Sequence, residues 1–320
     1  MRLLLLRVVM ASLLGTALAH EGHDDEPMST VTTTPVTTAT PAPSSVPSGG
    51  SEPVVRNIGY LVFNGYEVLD VYGPLSPLNM LANTTPNLTM SIISASLDPV
   101  SSSSIDAATN SSNFGQTIVP THTLASPPED LDVLFVPGGS GTRANATELQ
   151  PYFDFIAAQY PNLKYLISVC TGATMLARAG VLDGRQATSN KFSWEFGTST
   201  GPNVNWVPHA RWVVDGNIWT TSGVSAGIDG TFAWLQHVWG EEKTKRIANI
   251  LEYEREMNST ADPFADVWKA TWPITPSSTT TSSMPMGTSV GSEHSHSRRM
   301  EMDTDSKPNQ EYWLPLVQRN

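Results

Sequence analysis

The stretch that most constrains the fold is residues 164–184, KYLISVCTGATMLARAGVLDG. It opens on a short apolar run, residues 165–169, with the length and β-branched content of a buried parallel strand. Residues 171–179 follow, rich in Ala, Met, Leu and Arg, which are strong helix formers. Cys170, the one cysteine of the chain, stands at the junction, with Ser168 two residues before it and Gly172 two after. Small residues there permit the sharp strand-to-helix turn that pushes a nucleophile out of the backbone, as in a G-x-S-x-G elbow. The helix that follows points its N-terminal N–H groups at the sulfur, which favours thiolate. A buried cysteine acting as a small apolar residue is the competing reading. The elbow context favours the nucleophile.

The rest of the central chain alternates strand and helix. Strands are predicted over residues 57–63, 89–95, 133–136 and 165–169, with a short added strand over 116–120. Helices are predicted over 69–82, 146–159 and 171–179. Two more strands, 211–214 and 218–221, flank an Asp215-Gly216-Asn217 turn, and helices over 228–239 and 243–257 end the domain. Four buried strands in such alternation predict a parallel sheet covered on both faces. Ligand sites in these sheets lie beyond the carboxyl ends of the strands.

Three segments end strands as such a site requires. In Glu67-Val68-Leu69-Asp70, the Asp70 carboxyl either projects into the crevice or caps the following helix. Val136-Pro137-Gly138-Gly139-Ser140-Gly141 is a Gly-rich turn that either presents Gly138 and Gly139 N–H groups to an oxyanion or is only a turn. The third is Cys170-Thr171-Gly172, where the Thr171 N–H would be the second oxyanion donor.

Charge and cysteine content close off other classes. Eighteen Lys and Arg against 30 Asp and Glu give a net charge of −12, which argues against nucleic acid as a partner. One cysteine excludes a disulfide within the chain and a Cys-based zinc site. Residues 1–19, with Arg2, Arg7 and a small-residue Ala17-Leu18-Ala19 end, read as a secretory signal, the alternative being an uncleaved signal anchor. His20 and His23 beside carboxylates are a weak metal-binding option in what reads as a solvated tail. Residues 20–53 are a Ser/Thr/Pro-rich stalk and residues 273–320 a second tract of that kind, both expected to be disordered. No apolar C-terminal anchor is expected. Asn83, Asn87, Asn110, Asn145 and Asn258 open N-x-S/T sequons, which fits a secreted, extracellular glycoprotein. The folded domain is expected over residues 54–272, enough for one sizeable core.

Asp70 within LDVYGP, VPGGSGT, VCTGATMLARAGVLDGRQAT and TTSGVSAGID over 220–229 together resemble the DJ-1/PfpI superfamily. The branch they most resemble includes isonitrile hydratase and the amino-terminal domains of some AraC-type regulators. The resemblance implies a flavodoxin-like α/β three-layer sandwich of the class I glutamine amidotransferase-like kind, with a mostly parallel sheet and a nucleophile elbow. It also implies a possible homodimer. Cys170, Asp70 and Thr171 match the set associated with isonitrile hydratases, with Asp70 expected to share a proton with the thiol. Gly138, Gly139, Thr171 and Gly223 are then the oxyanion or substrate-binding candidates.

One position departs from the pattern. Many relatives carry a His where this chain has Asn190, and an amide cannot accept a proton at neutral pH. His122, His209 and His237 have structural readings in an edge segment, a loop and a late helix turn. The leading expectation is a secreted enzyme that hydrates an isonitrile to an N-substituted formamide through Cys170, without metal or organic cofactor. A glyoxalase-like reaction and a non-enzymatic ligand-binding or redox-sensing module are the alternatives. An AraC-type regulator is disfavoured because no helix-turn-helix region follows.

Overall fold

The computed structural model describes residues 54–105 and 114–272. The expected leader (1–19), stalk (20–53), C-terminal tract (273–320) and the sequon at Asn110 lie outside the described residues. In chain order the strands are β1 (Asn57–Leu61), β2 (Thr89–Ser94), β3 (Val100–Ser101), β4 (Thr117–Ile118), β5 (His122–Thr123) and β6 (Val133–Val136). There follow β7 (Tyr165–Ser168), β8 (Gln186–Ala187), β9 (Asn205–Trp206), β10 (Trp212–Asp215) and β11 (Ile218–Thr221). The helices are α1 (Val68–Ala82), α2 (Ala146–Gln159), α3 (Gly172–Arg178), α4 (Trp194–Thr200), α5 (Val224–Trp239), α6 (Glu241–Ile250) and α7 (Phe264–Val267).

Seven strands form the main sheet in the order β10-β11-β7-β6-β1-β2-β5. Every pairing is parallel except β10 with β11, whose hairpin turns at Gly216 with φ 62°. Register carries the side chains alternately to two cores. Val133, Phe135, Tyr165 and Ile167 join Ile58 and Tyr60 beneath α1, α5 and α6. Leu134, Val136 and Leu166 face the other way, beneath α2 and α3. Strands buried on both faces explain the continuous apolar runs in the sequence. The chain order reverses between β1 and β6, so the ends of β1, β6 and β7 open onto one crevice.

Several expected boundaries move for local reasons. The 116–120 strand is only Thr117–Ile118 and pairs with β3 in a separate small sheet. Pro120 has no N–H to extend it, and the main sheet ends instead on β5. Helix α5 begins at Val224 rather than 228, because its glycines are close-packing positions, not breakers. A Cβ at Gly227 would meet Val169 Cγ1 at 2.3 Å. Helix α6 stops at Ile250, short of 257. Glu252 takes φ 51° and the Tyr253 N–H returns to the Ala248 carbonyl, closing the last turn.

Candidate active site

The strand-to-helix junction after β7 is a tight elbow. Val169 N–H still pairs with the Val136 carbonyl at 3.0 Å, and Gly172 N–H turns back to the Val169 carbonyl at 2.8 Å. Between them Cys170 takes φ 58°. That left-handed conformation costs a side-chain-bearing residue about 1–2 kcal/mol. The Ser189 hydroxyl holds it by donating to the Cys170 carbonyl at 3.1 Å. Gly172 is required here, since a Cβ would sit 2.2 Å from the Val136 carbonyl oxygen.

Asp70 is not a helix cap. Glu67 occupies that position, without a side-chain capping bond, and Asp70 lies in the first turn of α1, fully buried. Pro74, four residues on, has no N–H to offer the Asp70 carbonyl. The Tyr60 hydroxyl, rising from β1, donates to that carbonyl instead. At the side chain, Oδ2 accepts from Gly138 N–H at 2.8 Å. Oδ1 is buried with no partner of good hydrogen-bond geometry, and the Cys170 side chain lies against the carboxyl.

These surroundings set the protons. Burial drives Asp70 up to about 8, against the opposing pull of the Gly138 N–H. Burial, then the Asp70 charge, push the Cys170 thiol well above its ordinary value. The Thr171 N–H and the Asn190 side chain pull the thiol the other way and do not overcome them. The thiolate expected at neutral pH is therefore corrected: a seven-residue helix pointing at the sulfur does not offset its removal from water.

The glycine turn also departs from expectation. Gly138 N–H is committed to Asp70, and Gly139 N–H donates to Thr171 Oγ1 at 3.0 Å. Neither is free to meet an oxyanion. Thr142 Oγ1 is also 3.1 Å from Thr171 Oγ1, so that hydroxyl faces the glycine turn and braces it. A Cβ at Gly138 would meet the Thr171 nitrogen at 2.6 Å and Asp70 Oδ2 at 2.9 Å. The turn thus fits Asp70 to Cys170 rather than contacting a substrate.

The donors that reach the sulfur are Thr171 N–H and Asn190. Asn190 Oδ1 accepts from Ser193 N–H at 3.0 Å, which leaves Nδ2 to face the thiol. His122, His209 and His237 lie apart from this contact set. His122 bonds Thr121, His209 approaches Asp266 at 3.9 Å, and His237 meets Tyr165 edge to face and lies tilted against Trp219. Among the described residues no three His, Cys, Asp or Glu side chains gather to hold a metal ion.

Beside Asn190 opens a cavity of about 270 Å³, whose wall includes Leu69, Gly223, Phe192, Phe264 and Trp268. Gly223 contributes from the N-terminal end of α5. The far wall comes from residues after α6 that sequence reasoning placed in no site. Asp262 anchors them through a buried ion pair with Lys191 at 3.1 Å. The tryptophans of Ala265-Asp266-Val267-Trp268-Lys269-Ala270-Thr271-Trp272 were the one available signal; nothing local marks Lys191.

A model of the DJ-1/PfpI family matches residues 56–237. Isonitrile hydratase of Pseudomonas putida is 34% identical over 197 residues, 61% of this chain and 78% of that protein. An HTH-type transcriptional regulator of Pseudomonas aeruginosa is 26% identical over 63% of this chain, which spans 52% of the regulator's length. A crystal structure of a ThiJ/PfpI family protein from Pseudomonas syringae shares the fold with a TM-score of 0.52 and 31% identity. It is matched over 67% of this chain and 84% of that one.

Proposed function

This chain belongs to the DJ-1/PfpI family, and from that premise we propose that it hydrates an isonitrile to an N-substituted formamide. The observation that carries the reading is a buried carboxyl, protonated up to about pH 8, held against the sole thiol with an amide at position 190. An acid and a nucleophile without a general base suit a carbon that must gain a proton. They do not suit amide hydrolysis, whose thiol needs a base. The relative named isonitrile hydratase supports the choice.

In this scheme the Asp70 carboxyl protonates the terminal carbon of R–N≡C while the Cys170 sulfur forms a bond to it. The thiol proton passes to the Asp70 carboxylate, leaving a thioimidate, R–N=CH–S–Cys. Water adds to that carbon and a proton goes to nitrogen. The C–S bond then breaks, R–NH–CHO leaves, and the sulfur regains its proton. Water is consumed, and no oxidant or reductant is needed. Thr171 N–H and Asn190 Nδ2 steady the sulfur as its charge changes.

The test is formamide formation from alkyl and aryl isonitriles, followed by NMR, in wild type, Cys170→Ala and Asp70→Asn. Turnover in wild type alone is expected. Turnover that survives Cys170→Ala sinks the mechanism, and a wild type that binds isonitriles without converting them is a binding module.

We also propose entry into the secretory pathway, from residues 1–19 and the sequons. Asn83, Asn87, Asn145 and Asn258 are all exposed, which supports glycan acceptance. A mobility shift on glycosidase treatment of the native protein is expected; no shift removes the proposal.

A further inference from the structure

Residues 258–272 lie beyond the family-model match and form a strap along the crevice. Among the contacts that fix it are Arg211 N–H to the Ser259 carbonyl at 2.7 Å, Lys191 and the Ser222 hydroxyl to Asp262, and Trp194 Nε1 to the Thr271 carbonyl at 2.7 Å, with Ala265 and Ala270 buried in the core. The strap brings Phe264 and Trp268 to the cavity, where Trp268 meets Phe192 edge to face at 4.8 Å. These three rings remain 48%, 43% and 56% exposed, respectively. Aromatic surface left open around one cavity is surface a ligand can cover.

The cavity's cations are already matched. Arg211 gives both Nε and Nη2 to Asp229 Oδ2, at 2.8 and 2.7 Å, and Lys191 has Asp262. No unpaired charge is left there to draw an anionic ligand. The rest of the wall includes Leu69, Val224 and Ala226. A methyl substituent would leave most of the 270 Å³ empty, whereas roughly 150 Å³ is enough to hold benzene.

We propose that this cavity is a subsite for an aromatic ring on an uncharged substrate, and that Phe264 and Trp268 of the strap set that preference. The identity of the reacting end rests on the isonitrile reading; the ring subsite does not. Asn190 is shared by the two: it forms part of this wall, and its side chain acts on the Cys170 thiol, so the subsite adjoins the reacting pair.

Formamides test the subsite without requiring turnover. Calorimetry on the full-length protein should show N-benzylformamide binding at least about tenfold tighter than N-methylformamide. It should also bind about threefold tighter than N-(cyclohexylmethyl)formamide, the margin that ring geometry adds. Both margins should shrink in Trp268→Ala and Phe264→Ala and return in Trp268→Phe, with thermal melting showing each variant folded. Equal affinities in wild type, a preference for the saturated ring, or margins unchanged in folded Trp268→Ala each overturn the subsite. Isonitrile turnover is measured separately. Its absence, with the binding margins intact, refutes the reaction and leaves the subsite standing.

Discussion

Asp70 and Cys170 hold two protons between them at neutral pH. The carboxyl keeps its proton to about 8 because it is buried, and the thiol titrates above its ordinary range because it is buried and faces the Asp70 charge. The two titrations are coupled, so each proton lost belongs to the pair.

Alkylation of Cys170 as a function of pH reports on the pair directly. The midpoint should lie above about 8.5, the ordinary thiol value. Asp70→Asn should lower it, since the carboxylate that opposes thiolate formation is gone. A wild-type midpoint below the ordinary value refutes the protonated pair.

Stability should carry the same signature. Between about pH 4, where an unfolded Asp titrates, and about 8, the folded chain holds a proton on Asp70 that the unfolded chain has lost. The raised carboxyl therefore contributes stability fully below the lower value, and the contribution is lost as pH rises through the upper one. The slope is about 1.4 kcal/mol per pH unit. Urea unfolding at pH 5 and 7.5 should show Asp70→Asn gaining on wild type by a few times that slope at most; parallel curves would exclude a buried protonated Asp70.

Tyr60 holds Asp70 by its backbone. Tyr60→Phe strands the carbonyl that Pro74 cannot serve, which should cost about 1–3 kcal/mol and slow turnover beyond the stability loss. The Cys170 alkylation profile separates the two effects: a midpoint that shifts in Tyr60→Phe shows that Asp70 has moved, while an unchanged one confines Tyr60 to stability.

Lys191 and Asp262 are both nearly without solvent contact, and Lys191 Nζ also donates to Thr188, Ser222 and two carbonyls. Lys191→Met leaves a buried carboxylate without its partner and should destabilise by about 3–5 kcal/mol. Adding Asp262→Asn should recover part of this in chemical denaturation, because the stranded charge is removed. A single variant as stable as wild type would show the pair to be idle.

Nucleophile and acid should behave as one unit. Cys170→Ala and Asp70→Asn should each abolish turnover, with the double variant no worse. Cys170→Ser should fail as well, its hydroxyl having no base to deprotonate it. Asn190→His should not raise isonitrile turnover; a gain in weak ester hydrolysis there would mark the site as a decayed hydrolase.

The elbow was legible because its determinants are adjacent in sequence: an apolar strand, a cysteine and glycine at 172. The sheet was legible for a similar reason, since its strands announce their burial. Asp70 was ambiguous because a capping carboxylate and one three residues into the helix look alike in sequence; only Tyr60 and Gly138, from two other strand ends, decide between them. Gly138 and Gly139 were placed in the right turn with the wrong partners, since the direction of an N–H is not written in a glycine. The thiol's protonation was misjudged because burial is a property of the whole fold. Lys191 and Asp262 were invisible, being distant in sequence and each unremarkable alone.

The strap has a consequence for how the protein comes to be made. The carboxyl, the glycine turn and the elbow through Gly172 are all encoded by residue 172, and the sheet is complete by Thr221. Asp262, Phe264 and Trp268 leave the ribosome later, so a nascent chain can carry its reactive pair before it has the aromatic wall of the neighbouring cavity. Until then Lys191 must wait in water or unpaired. A premature stop between α6 and Asp262 would freeze the molecule at that stage, with its chemistry assembled and its selectivity missing.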